Sequence, residues 1–256
     1  DIGLLREGDP ADFITMDDVR RGIVQRTYIK GDLVHETNKI MFETPQIDPI
    51  NRFNAPAVKA ADFQFKAQKA KDKIRCIVVE DGQLITKSLF SQAQIANDQI
   101  VADIKKDILK IAVIERYSGK GRKSIGWIHG FGLKSGAIGS TVAHDSHNII
   151  ICGVDDESIA KVANKLIKMQ GGLAVAEGDE LLAMKLEVGG LMSTKNAFDV
   201  ANQYEALDQK AKSLGSQLSA PFMSLSFMAL LVIPELKLSD KGLFDGQNFE
   251  FCSSQV

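Results

Sequence analysis

Alternating apolar and polar positions mark short strands along much of the chain, and a helical period replaces them at a few places. Residues 11–16 form a short apolar run, and residues 23–35 alternate around Lys30-Gly31-Asp32, which predicts a hairpin. Residues 36–60 carry Pro45, Pro49 and Pro56 with little periodicity and read as a linker or long ordered connection. Residues 61–73 are rich in Lys and Ala, and their charges suit a solvated face. A strand–turn–strand follows at 74–79 and 84–90 about Glu80-Asp81-Gly82-Gln83. Further strands are predicted at 109–116 and 125–133, separated by the Gly- and Lys-rich loop 118–124. Residues 149–154 suit a strand buried on both faces.

Asp155 or Asp156 then caps a predicted helix in which Ile159, Val162, Ala163, Leu166 and Ile167 recur at helical spacing. Gly171-Gly172 ends it, because glycine accepts the left-handed conformation. Residues 173–176 and 181–188 predict another hairpin. A long helix is expected over 195–214, with Ala197, Ala201, Tyr204, Leu207, Ala211 and Leu214 on one stripe. A third starts near Pro221, with Met223, Phe227 and Met228 filling the core. Strands mixed with segregated helices predict an α+β fold, a layered mixed sheet with helices.

Composition narrows the function classes. The 256 residues suit one large or two smaller domains, and 45% hydrophobic with 25% charged residues is ordinary for a globular chain. A net charge of −2 gives no field for a polyphosphate backbone, so nucleic acid is not expected as a partner. No membrane span is expected, since the most apolar run, 222–233, is short, contains Ser224 and Ser226, and stops at Pro234. The first residues lack a signal-peptide pattern, and the absence of an initiator Met suggests processing or a piece of something longer. Cys76, Cys152 and Cys252 are far apart and odd in number, which fits a reducing, cytoplasmic location.

Chemically able side chains concentrate at His144-Asp145-Ser146-His147-Asn148, after a run of small residues and before the apolar stretch 149–154. Histidine serves as acid, base or ligand near neutral pH, and strand mouths are rigid mounts for sites. A polar network that merely satisfies a buried loop is the competing reading. His35 and His129 stand alone and read as structural or exposed. The glycines of 130–136 match neither the dinucleotide fingerprint nor the Walker loop, and 118–123 reads as an exposed turn or an anion holder. No Gly-x-Ser-x-Gly elbow and no zinc-deaminase His-x-Glu…Pro-Cys-x-x-Cys signature occurs.

The string HGFGLKSGAIGSTVAHDSHNIIICG at 129–153 resembles the signature region of adenine deaminases, densest over 127–148. IERYS at 114–118, GGLMS at 189–193 and PFMSLSFMALLVIPELKLSDKGLFD at 221–245 are similar to the same family. Residues 3–34, with GDPADF and YIKGDLV, resemble the closing strands of an amidohydrolase β-sandwich.

The resemblance implies three segments: terminal sandwich strands at 1–36, a connecting segment at 37–73, and an adenine deaminase C-terminal α+β domain at 74–256. It also implies hydrolysis of adenine to hypoxanthine and ammonia in purine salvage, with a divalent metal, manganese or iron, lowering the pKa of a water. The family's metals sit on a barrel that opens with a His-x-His pair, which this sequence lacks, so the catalytic barrel is expected upstream and no metal ligand is expected here.

His144, Asp145 and His147 are then expected to support catalysis, and Ser146 and Asn148 to bind substrate. Expected partners are adenine, the N-terminal barrel region and further copies in a homo-oligomer, and the fragment alone is expected to be inactive. A structural or oligomerisation module, with an apolar helix surface near 222–231, and a relative acting on another purine are the alternatives.

Overall fold

The computed structural model describes residues 4–43, 45–68 and 72–256. Residues 1–3 of the first predicted segment, and 44 and 69–71 of the connecting segment, lie outside the described residues. The chain divides into two compact units, Asp1–Asp48 and Pro49–Val256.

The first unit is an antiparallel sheet of β1 (Phe13–Met16), β2 (Val24–Ile29), β3 (Asp32–Glu36) and β4 (Lys39–Ile40), paired in that order. Ile29 pairs with Asp32, so Lys30 and Gly31 form a two-residue turn, both at positive φ, as the right-handed twist of a hairpin favours. None of its described residues is buried, and Ile14, Met16 and Ile29 are exposed.

The second unit opens with a 3₁₀ turn at Ala60–Phe63 and β5 (Phe65–Lys66). Then come β6 (Lys73–Val78), β7 (Lys87–Gln92), β8 (Gln94–Ala96), β9 (Gln99–Val101), β10 (Ile108–Ile114), β11 (Lys123–His129), β12 (Ala137–Ser140) and β13 (Ile149–Gly153). After α1 (Asp156–Met169) come β14 (Gly172–Glu177), β15 (Glu180–Lys185), α2 (Ala197–Ser213) and α3 (Pro221–Ser226). A small sheet of β16 (Leu236–Ser239), β17 (Gly242–Asp245) and β18 (Glu250–Cys252) completes it.

The central sheet runs β15-β14-β12-β13-β10-β11-β6-β7, antiparallel except for the β11–β6 pair. Side chains alternate across a strand. Ala112, Ile114, Ile149 and Ile151 therefore pack with α1, Val58 and Phe63 on one face. Leu109, Ile111, Val113 and Ile150 pack on the other with α2, α3, Leu236, Leu238 and Leu243. The α+β layering predicted from the sequence is what the structure has.

Lys110 sits mid-strand in β10, where its buried amino group donates to Phe63 O at 2.8 Å and pairs with Asp156. The first half of β6 is bonded to the tail: Val256 N donates to Lys73 O at 2.9 Å and Arg75 N to Ser254 O at 3.0 Å. No helix among the described residues is long and apolar enough to cross a membrane.

Local expectations shift in several places. Phe63, in the segment expected as a solvated face, is fully buried. The strand predicted to 133 stops at His129, because Gly130 and Gly132 turn the chain with φ of 95° and 79°. Asp155 is the cap of α1, accepting from Ser158 N at 2.7 Å, and the left-handed residue at its far end is Gln170 rather than a glycine. The α2 stripe is buried only at Leu207, Ala211 and, just beyond, Leu214, while Ala197 and Ala201 are exposed. Met228 fills the core, but Met223 is 53% exposed, because α3 lasts six residues and turns that position outward. Strands β8, β9, β12 and β16 to β18 were not anticipated by period.

Candidate functional site

The dense polar cluster forms the loop between β12 and β13. Backbone bonds hold its ends: His144 N donates to Ser226 O at 2.9 Å and His147 N to Ala143 O at 2.6 Å. The Thr141 hydroxyl donates to Gly190 O at 2.6 Å and accepts from Gly172 N at 2.8 Å, pinning the loop entrance to the turn after β15. His147 is left-handed at φ 49°, which makes the turn back into β13 tight.

The five predicted residues are neighbours in space, but they face different ways. The His144 ring stacks on Phe227, centroids 4.8 Å apart, and meets His147 edge-on at 5.4 Å. His147 Nδ1 is buried without a partner among the described residues. Burial, then the neighbouring His144 and Arg116, hold its pKa below the ordinary histidine value, so it is neutral at pH 7. Asn148 is buried and donates to Asp240 Oδ1 at 3.3 Å. Only Asp145 and Ser146 of the five are exposed.

Residues not singled out from the sequence build the seat of the loop. Arg116, 2% exposed, donates through Nε to His147 O and through Nη2 to Gly189 O at 2.8 Å. Its guanidinium lies between the rings of Phe53 at 5.2 Å and Tyr117 at 4.7 Å. The Tyr117 hydroxyl donates to Ser146 O at 2.7 Å. Asp240 accepts from Asn148 and, at 2.6 Å, from Arg122 Nε, so Arg122 is engaged rather than free for an anion. Burial opposes ionisation of Glu115, but bonds from Ser118 and Tyr117 outweigh it and keep the carboxyl below its usual pKa. The four strings that carried the resemblance thus meet at one place, each by a named contact: Arg116 and Tyr117, His144 to Asn148, Gly189, and Phe227 with Asp240.

Among the described residues, no three His, Cys, Asp or Glu side chains gather where they would hold a metal ion. With one ring stacked on Phe227 and only two histidines together, these residues do not fit a metal centre.

The model of the adenine deaminase C-terminal domain matches residues 83–250. The adenine deaminase of Methanosarcina acetivorans is 46% identical over 258 residues, covering 98% of this chain and 46% of that protein. That of Salinibacter ruber is 45% identical, covering 100% and 47%, and that of Borreliella burgdorferi is 44% identical, covering 98% and 45%. The chain spans about half the length of the curated relatives it matches. With the matching strings gathered around one loop, the chain belongs to the adenine deaminase family, in its C-terminal domain.

Proposed function

We propose that this chain is the C-terminal portion of an adenine deaminase, a hydrolase converting adenine to hypoxanthine and ammonia, and that its 144–148 loop borders the active site. The convergence of Arg116, Tyr117, Phe227 and Asp240 on that loop, with Gly189 in turn holding Arg116, carries the reading, because a surface loop without a role does not need four distant residues to hold it. The loop's own work is to hold substrate and exclude water, with neutral His147 able to receive a proton. A divalent metal, manganese or iron, belongs on this reading to a barrel in the rest of the protein. The uncovered Ile14, Met16 and Ile29 support the first unit as part of a larger sandwich. The free thiols Cys76, Cys152 and Cys252 support a cytoplasmic location.

The test is His147→Ala in the longer enzyme. Catalytic efficiency is expected to fall on the order of 100-fold at unchanged metal content, as for a misplaced site group. Unchanged efficiency would sink the loop's role. The 256-residue chain alone is expected to show no deamination. The oligomerisation reading is less well supported at 222–231, since Phe222, Leu225 and Met228 face the chain's own core.

A further inference from the structure

Only the second half of α2 is packed. A surface helix turns its apolar stripe to the core. Within α2 only Leu207 and Ala211 are buried, while Ala197 and Ala201, on the same stripe, are exposed. Tyr204, between the two halves, lines a pit of about 200 Å³ together with Leu173 and Met184 of the central sheet and Phe222 and Met223 of α3. Leu191 lines it as well, and the next residue, Met192, is 58% exposed.

The chemistry of the pit selects its occupant. No charged side chain lines it. Its two serine hydroxyls are engaged, Ser140 Oγ accepting from Val142 N at 2.9 Å and Ser226 Oγ donating to Met223 O at 2.7 Å. Water held there finds few partners, so an apolar group displaces it at little cost. The volume falls below the roughly 300–1,000 Å³ of small-molecule sites and suits one large apolar side chain. The flexible thioether of Met223 adapts to the shape of such a knob. An apolar pit that continues into a bare helix stripe is the mark of a protein contact.

Two observations say which protein makes it. The chain covers 46% of its Methanosarcina acetivorans relative, so on the reading above more of the protein lies outside these residues than within them. The pit also backs onto the anchorage of the 144–148 loop. Val142, in its lining, leads from β12 into the loop, and Ser226, also in its lining, accepts from His144 N through its main-chain oxygen at 2.9 Å. A loop that borders an active site completed elsewhere in the protein brings that remainder to this side of the unit.

We propose that an apolar side chain from the part of the longer protein outside these 256 residues docks in this pit, and that the segment carrying it covers Ala197, Ala201 and Met192. The inference rests on the reading of this chain as the C-terminal portion of a longer protein, and adds where the remainder seats. A knob in the pit presses on Val142 and Ser226 and so fixes the loop from behind.

Hydroxyl-radical footprinting of the 256-residue chain and of the longer enzyme, read by mass spectrometry, tests it. Met192 and Met223 are expected to oxidise about tenfold more slowly in the longer enzyme, a closed-to-open ratio worth about 1.4 kcal/mol, and equally so at every protein concentration. Met228, fully buried, stays unlabelled in both and reports any unfolding. Met223→Asp and Ala201→Glu, both at exposed positions, are expected to leave the melting temperature of the 256-residue chain unchanged and to restore Met192 labelling in the longer enzyme. Equal labelling of the two proteins, or Met192 protection unchanged in both variants, would overturn the proposal. Protection that grows with concentration would overturn it too, by marking a second copy as the occupant. Deamination is a separate readout. A longer enzyme that deaminates adenine with Met192 and Met223 open sinks the docking and keeps the activity; one that protects them without deaminating does the reverse.

Discussion

Arg116 is the residue on which the loop depends. Its two bonds go to main-chain oxygens, from a buried charge that makes no ion pair with a carboxylate among the described residues, so burial pushes its pKa down although it remains a cation. Arg116→Ala is expected to destabilise the second unit by about 3 kcal/mol, the scale of two charge-assisted bonds, as read from urea unfolding. Arg116→Lys should recover little, because a point charge cannot reach both oxygens with one planar fork.

His147 gives a pH signature at the same scale. Its folded pKa lies below the ordinary 6.5, so the unfolded chain takes the proton first as pH falls. Its contribution to stability is whole above pH 6.5 and declines below it. The melting temperature of the chain should therefore drop between pH 7 and pH 5.5 more steeply than that of His147→Gln, and parallel curves would remove His147 as the cause. The polar loop was legible in the sequence because five able side chains stand together. Arg116, Tyr117 and Phe227 were not, since they act on backbone carbonyls or by stacking, and neither leaves a side-chain pattern at 31 or 83 residues' remove.

Among the elements, α1 was readable because its cap, acidic first turn and apolar spacing agree. Strand β12 was not. Its sequence, Ala137-Ile138-Gly139-Ser140, has one β-branched residue and no aromatic, little of the content of a strand, and its small residues are there because α1 crosses it closely. A Cβ on Gly139 would stand 2.6 Å from Val162 Cγ1 and 3.0 Å from Ile151 Cγ1. Gly139→Ala is thus expected to cost about 1–3 kcal/mol by overpacking, seen as a lower urea midpoint at constant slope. The β8–β9 hairpin carries its local signal in the turn alone: Asn97 and Asp98, both left-handed, form a two-residue turn of the type these residues favour. Strands β16 to β18 are three or four residues each, too short for a period to register.

At the scale of the whole molecule, the layered architecture was legible while the pairing of strands was not, because register between distant segments is decided by packing rather than local pattern. Strand β6 illustrates this: its second half pairs with β11 in parallel, and its first half with residues 254–256. Synthesis imposes an order on that arrangement. Chains emerge at roughly 5–20 residues per second and domains fold as units. Residues 73–75 therefore wait, made early and lacking their partner, until residues 254–256 have been translated and have cleared the ribosome. Native closure of this unit is consequently a post-emergence event, during which the waiting strand edge is what a chaperone would have to shield.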